Sequence, residues 1–469
     1  MDGSERELFD RCICLHVMNV DYELHLYGKP GTSSSSSSSS STSLQTPCQN
    51  STRKRVIDYE YIYLLLYNNQ QQQQQQPHKE KENEKQVSAT KFGLLCRRQR
   101  SYDEKYLEHL RQLGFEIPSI MVHESSLSSF SASASSSGHV IVRPFWGHHH
   151  DACVERLLNS KVTSARLAKE KGWGFHKDHS TFVRTYEDVV THVQKYHKVD
   201  RWLLRRPLYS AGIGQKMFFA STFTRDMLAK YLKCDDSGND ENDDHALVLL
   251  EPFYTRVVDI GTTFVIDSNG DILRQFLVEN YIAESGGFVG GTAAATYEVF
   301  KMYIERKYRF YDLDALMEMT KEIVKCYIEM GARGNVQIDS FVYKYIEDGV
   351  SDNVVMRIYP LVEVNYRKTM GLVIQRLADM HTSNDSFQYV EWKLIPKKQL
   401  DRMNANNSSK LIWDKSQYTL NYHEGEDNDS NSNSHDPSSN GECEWKQLSP
   451  SDNLMHSFFR VRTMAADLR

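Results

Sequence analysis

The stretch Tyr359-Pro360-Leu361-Val362-Glu363-Val364-Asn365-Tyr366-Arg367-Lys368-Thr369-Met370-Gly371 decides how this 469-residue chain is read. Its apolar start predicts a buried strand, and side chains alternate faces along a strand, so Glu363 and Asn365 project from one side. Upstream, Val336-Gln337-Ile338-Asp339-Ser340-Phe341-Val342-Tyr343 predicts a second strand able to bring Asp339 to the same point. Two carboxylates and an amide carbonyl are hard oxygen donors, a set that suits Mg²⁺ held against phosphate oxygens. Alone, a Glu-x-Asn triplet is common by chance, and a carboxylate on a half-buried strand is ordinarily solvated or salt-bridged. The order of the motifs before it adds the weight.

The first of these motifs is Leu158-Asn159-Ser160-Lys161, followed by Val162-Thr163-Ser164-Ala165-Arg166-Leu167-Ala168 and Gly172. A polar N-cap, a run of helix formers and a C-cap glycine predict a short helix with Lys161 in its first turn. That lysine is either an ordinary surface cation or one that reaches an anion. Next, Arg201-Trp202-Leu203-Leu204-Arg205-Arg206-Pro207 predicts a strand, and Ser210-Ala211-Gly212-Ile213-Gly214 the loop after it. Glycines there let backbone N–H groups approach an anion without Cβ obstruction, although most such turns are only turns.

Val248-Leu249-Leu250-Glu251-Pro252 predicts an apolar strand halted by proline, with Glu251 either in solvent or in a site. Asp259 follows three residues after Arg256 and is equally placed to pair with it. Thr263–Ile266 and Ile272–Leu273 flank Asp267-Ser268-Asn269-Gly270-Asp271, residues that tolerate positive φ, and predict a hairpin. Ser285–Thr292, with four glycines, reads as a mobile lid or a plain flexible loop. Helical periodicity covers Ala293–Lys307 and Leu313–Met330.

Together these motifs resemble the ATP-grasp superfamily of carboxylate-amine and carboxylate-thiol ligases, over residues 101–380. The nearest likeness is to proteins carrying a Leu-Asn-Ser-Lys segment and a Glu-x-Asn-x-Arg-x-Thr-Met-Gly ending. The resemblance implies an α+β fold in which two α+β subdomains with antiparallel sheets clasp ATP, preceded by a small α/β domain. It implies that Lys161, Arg205, Ser210, Gly212, Gly214, Glu251 and Asp259 bind the nucleotide, Glu251 at the adenine hinge and Asp259 at the ribose. It implies that Asp339, Glu363 and Asn365 hold Mg²⁺, with Mn²⁺ as the alternative. The superfamily's ligases carry an arginine two residues before the first metal aspartate, where this chain has Gln337. Arg367 or Arg274 is expected to supply the missing catalytic charge. The implied reaction joins a carboxylate to an amine or thiol through an acyl phosphate; the alternative is a nucleotide-binding regulatory or scaffold protein of the same fold that has lost turnover.

The expected organisation is an N-terminal α/β region over 1–150, ATP-grasp subdomains over 151–245 and 246–380, and a C-terminal extension over 381–469. Strands are expected over Leu8–Leu26 and Arg55–Tyr67, a helix over Tyr102–Gly114, and an amphipathic helix over Leu454–Arg469. Hydrophobic residues make up 40% of the chain, enough for sizeable cores. A net charge of -6 argues against general affinity for nucleic acid. No apolar run is long enough to span a bilayer, and eight cysteines lack paired spacing, so a soluble protein of the reducing cytoplasm is expected. His148-His149-His150, with His176 and His179, is expected to be an exposed loop and not a zinc site. Low-complexity runs at Ser33–Ser41, Gln70–Gln76, Ser125–Ser137 and Glu424–Glu442, and the acidic insert Cys234–Asp244, lack the apolar residues to offset ordering entropy.

Overall fold

The computed structural model describes residues 13–17, 61–66, 91–96, 102–123, 140–144, 152–173, 179–208, 214–232, 247–283, 286–346, 354–383, 387–405, 411–422 and 444–464. The four low-complexity runs, the acidic insert, His148–His150 and His176 lie outside them.

Three sheets organise the chain. The first is parallel and four-stranded, in the order β3-β2-β1-β4, from β1 (Ile13–Val17), β2 (Lys91–Cys96), β3 (Ile120–His123) and β4 (Val140–Pro144). Helices α1 (Ile62–Leu66) and α2 (Glu104–Gln112) intervene. Asp103 caps α2 through a bond from the Lys105 amide, and Gly114 follows it with φ 87°, so the expected helix forms there. The expected strand at Arg55–Tyr67 is corrected: Ile62–Leu66 is helical. Four residues of α1 are buried, so the segment is apolar all round and carries no period to separate helix from strand.

The second sheet is antiparallel, in the order β5-β8-β6-β7. It follows helices α3 (Ala152–Asn159) and α4 (Lys161–Lys171) and comprises β5 (Thr181–Val183), β6 (Arg201–Arg205), β7 (Gln215–Phe219) and β8 (Val248–Pro252). Helices α5 (Tyr186–Lys195) and α6 (Arg225–Leu232) pack Val189, Val193 and Leu228 against its Trp202, Leu204 and Phe218.

The third sheet has ten antiparallel strands. In chain order its elements are β9 (Arg256–Ile266), β10 (Ile272–Ile282), β11 (Phe288–Ala294), α7 (Tyr297–Tyr308), α8 (Leu313–Glu329), β12 (Gly334–Ile346), β13 (Val354–Asn365), α9 (Met370–His381), β14 (Gln388–Pro396), α10 (Lys397–Ala405), β15 (Leu411–Asp414), β16 (Thr419–Tyr422), β17 (Trp445–Gln447) and β18 (Met455–Thr463). The strand order is β13-β12-β9-β10-β11-β14-β18-β17-β16-β15, so strands beyond residue 381 extend the sheet that begins at β9. The expected hairpin joins β9 to β10, with Gly270 at φ 99°.

Pairing assigns the faces. Asp339 lies opposite Gly261 and Glu279 opposite Ile260, so these two carboxylates occupy opposite faces. Helices α7 and α8 cover the Ile260 face, and α9 covers part of the other through Val373, Ile374 and Leu377.

Two further expectations are overturned. Phe288–Ala294, inside the stretch read as a lid and the start of a helix, is strand β11, paired to both β10 and β14. Its glycines permit close backbone approach: a Cβ on Gly290 would sit 2.3 Å from the Trp392 carbonyl oxygen, and one on Gly291 2.2 Å from that of Glu279. Met455–Thr463, expected in a C-terminal helix, is strand β18, held along nine residues of β14. Among the described residues no helix is long and apolar enough to cross a membrane.

Candidate functional site

The site lies where the second sheet meets the edge of the third. Antiparallel pairing sets Asp339 opposite Glu363 and Gln337 opposite Asn365, so four polar side chains share one face of β12 and β13. The alternation read from Glu363 and Asn365 therefore holds, and it extends across the strand pair.

Each residue of the Leu158-Asn159-Ser160-Lys161 segment has its own task. Leu158 enters the core beneath β13, and Asn159 accepts a 2.9 Å bond from the Tyr366 amide, fixing the end of that strand. Ser160 caps α4 by accepting from the Thr163 amide, and Gly172 ends the helix in the left-handed region at φ 71°. Lys161, the first residue of α4, is buried and reaches 2.9 Å from Glu363 Oε2.

Arg205, at the end of β6, comes to the same carboxylate from the second sheet. Its Nη2 donates to Glu363 Oε2 at 2.9 Å and its Nη1 to Glu251 Oε2 at 2.9 Å, and both nitrogens reach the Val362 carbonyl. The cross-strand pairing of β6 and β8 brings Arg205 and Glu251 near one another. Burial opposes the guanidinium charge, but Glu251 and Glu363 hold it more firmly protonated than usual. Tyr359 completes the bridge, donating to Glu251 Oε1 at 2.5 Å.

Glu363 and Asp339 titrate in opposite directions. Burial disfavours the Glu363 carboxylate, yet Lys161 and Arg205 outweigh it and hold its carboxyl below the usual range. Burial pushes Asp339 up, the negative charge of Glu363 pushes it further, and the Gln337 amide offsets this only in part. Asp339 accepts from Gln337 Nε2 and from Asn365 Nδ2, each at 2.7 Å. Asn365 Oδ1 accepts from Arg367 Nη2 at 2.7 Å, so a half-turn of that amide would exchange its donor and acceptor ends toward Asp339.

These residues fit a hard divalent cation. Two carboxylates stand side by side on paired strands, and the charge of one raises the proton affinity of the other. A cation between them would remove that repulsion and take their oxygens as ligands. Among the described residues no group of three or more His, Cys, Asp or Glu side chains could hold a metal, so the third donor would be the Asn365 amide.

Beside the cluster lies a narrow cleft of only about 20 Å³, lined by Leu203, Arg205, Tyr254, Phe341, Tyr359 and Val362. Phe341 and Tyr359 stack at 4.6 Å with planes 6° apart, and Arg256 lies 4.5 Å from the Phe341 ring centroid. Sequence reading found Glu251 here but missed Tyr254, Phe341 and Tyr359. Alternation along the strand from Asp339 was the available signal for Phe341, but nothing local linked it to Tyr359.

Of the other expected site residues, Asp259 sits beside the cleft, opposite Phe341, while Arg274 lies apart from it. Asp259 pairs with Arg256 at 2.5 Å, the alternative its spacing left open, and burial pushes its carboxyl up. Arg274 donates twice to Asp379 at 2.7 Å, near the far end of α9 from Thr369, about 15 Å along the helix. Ser210 and Gly212 lie outside the described residues, while Gly214, at φ 72°, closes the β6–β7 connection by accepting from the Arg206 amide.

No family model matches the sequence, and no curated protein does. Solved structures similar to this chain include an N5-carboxyaminoimidazole synthetase from Staphylococcus aureus complexed with ADP, at 14% identity and TM-score 0.36, over 69% of this chain and 81% of that one. A biotin carboxylase from Campylobacter jejuni is similar at 8% identity and TM-score 0.39, over 77% and 85% of the two chains. A D-alanyl-alanine synthetase A from Vibrio cholerae is similar at 14% identity and TM-score 0.34, over 76% and 88%. Likeness at this level carries no residue role and no reaction to this chain.

Proposed function

We propose that this protein is of the ATP-grasp type, binds Mg-ATP between its two antiparallel sheets, and uses it to join a carboxylate to an amine or thiol. The observation that carries the reading is the meeting of Lys161 and Arg205 with the Asp339, Glu363 and Asn365 face, beside an aromatic cleft. Two cations and a cation-binding face are what a metal-bound polyphosphate requires.

Glu363 pairs with both Lys161 and Arg205, and Glu251 shares Arg205. Phosphate oxygens would replace Glu363 on both cations, freeing its carboxylate, with Asp339 and Asn365, for Mg²⁺. Mn²⁺ suits the same donors. Held by Asp339, Glu363 and Asn365, such a metal would supply positive charge to offset that of the phosphate. Lys161 and Arg205 orient the phosphate chain, and Tyr359 holds Glu251 so that Arg205 stays aimed at it. A substrate carboxylate oxygen attacks the γ-phosphorus, giving an acyl phosphate and ADP; the amine or thiol then attacks the acyl carbon and releases phosphate. Arg367, held on Asn365, is a further cation beside the metal face. Within this reading the protein works in the cytoplasm, where Cys96, Cys153 and Cys326 remain free thiols.

ADP release, measured over panels of carboxylates with amines or thiols, tests the reaction. A ligase releases ADP over repeated turnovers only when the carboxylate and the amine or thiol are both present. ATP binding without such release across the panels would favour the second reading, a binding protein without turnover, to which the neutral Gln337 lends support.

A further inference from the structure

Resting on that reading, we propose that Gln337 is a positioning residue that ties the metal-facing carboxylate of Asp339 to the start of α9 through Thr369. Three elements converge on its amide. Its nitrogen donates to Asp339 Oδ1 at 2.7 Å, and its oxygen accepts from Thr369 Oγ1 at 2.5 Å and from Thr263 Oγ1 at 3.3 Å. Gln337 is buried, and so are Thr263 and Thr369.

Thr369 occupies the N-cap of α9, where a threonine hydroxyl ordinarily accepts from the helix's own first-turn amides. It makes no such side-chain bond; its hydroxyl proton goes to Gln337 instead. Two glycines on different elements leave room for the amide. A Cβ on Gly371 would come within 2.6 Å of Gln337 Oε1, and one on Gly261 within 2.9 Å of Gln337 Nε2. The slot is therefore shaped to one flat amide, donor toward Asp339 and acceptor toward Thr369. An arginine has no acceptor to offer Thr369 and Thr263, and its larger head would meet the same two glycine backbones.

The consequence is a mechanical link. Gln337 fixes one oxygen of Asp339 while Asn365 fixes the other, and Gln337 is itself held by Thr263 and by the residue that precedes α9. Thr369 thus influences the metal without touching it, and the Arg367-Lys368-Thr369 turn and the metal face move as one unit.

The test measures the dissociation constant of ATP with Mg²⁺ and with EDTA, and compares their ratio among the intact protein, Thr369→Val, Gln337→Met and the double variant. Loss of such an orienting contact lowers metal affinity about tenfold or more. Each single variant should cut the Mg²⁺ enhancement by about that factor, and the double variant should be no worse than either single. Gly371→Ala, by displacing the amide, should reproduce the loss. A merely structural role would weaken binding equally with and without metal. An equal weakening, an unchanged ratio, or losses that multiply in the double variant would each overturn the link while leaving ATP binding in place. If the intact protein binds no ATP, the functional reading itself falls, and this inference with it.

Discussion

Glu279 and Glu363 lie on the same ten-stranded sheet, both inside the protein and both facing a lysine, but they keep different company. Glu279, on the helix-covered face, accepts from Tyr303 at 2.5 Å, from Lys307 at 3.0 Å and from Tyr308. All of these donors come from one helix, α7, and the carboxylate is 2% exposed. Glu363 takes Lys161 from α4 and Arg205 from the second sheet, and is 20% exposed. The first arrangement is saturated: phenols whose protons are held by burial and by Glu279 itself close it off. The second is an exchangeable set of charges shared between separate layers. A buried ion pair satisfied within one layer stabilises a fold, and one shared across a cleft can be traded for a ligand.

The strongest way to break this contrast is Glu279→Ala. It strands Lys307 and two hydroxyls and should cost about 3–5 kcal/mol in denaturant unfolding, while the folded fraction still binds Mg-ATP. Acid should act next. Burial lowers His381 and His456 to about 4, so the native state binds fewer protons than the unfolded chain. The stability they allow is complete above pH 6.5 and is lost as pH falls toward 4, roughly 4 kcal/mol for the pair after discounting for partial exposure. His381→Phe with His456→Phe should flatten unfolding curves measured over that range. Lys161→Met should weaken Mg-ATP binding about tenfold or more by calorimetry, yet cost less in unfolding than Glu279→Ala, because Arg205 still pairs with Glu363. Arg274→Ala, at a half-exposed pair distant from the cleft, should change stability by at most about 1 kcal/mol and ATP affinity not at all. A large binding effect there would extend the site along α9.

What could be read in the sequence were features carried by local chemistry. Ser160 and Gly172 bracket α4 by capping, Asp267–Asp271 turns the hairpin by its tolerance of positive φ, and alternation aligned Asp339, Glu363 and Asn365. What stayed hidden depends on tertiary partners. Arg205 meets Glu251 only because β6 pairs with β8, and the aromatic cleft exists only because two sheets face each other. The glycine run at β11 looked like a flexible loop because its small residues serve close backbone contact, which a single strand cannot display. Leu454–Arg469 suggested an amphipathic helix, but nine paired residues of β14 outweighed that weak period.

The most direct measurement is titration of ATP, with Mg²⁺ and with EDTA, into the intact protein and Glu363→Gln. If Glu363 holds Lys161 and Arg205 in reserve and then serves the metal, the variant should bind metal-free ATP more tightly than the intact protein and should lose most of the Mg²⁺ enhancement. Equal affinities for the two proteins under both conditions would contradict the account, because Glu363 would then neither restrain the cations nor serve the metal.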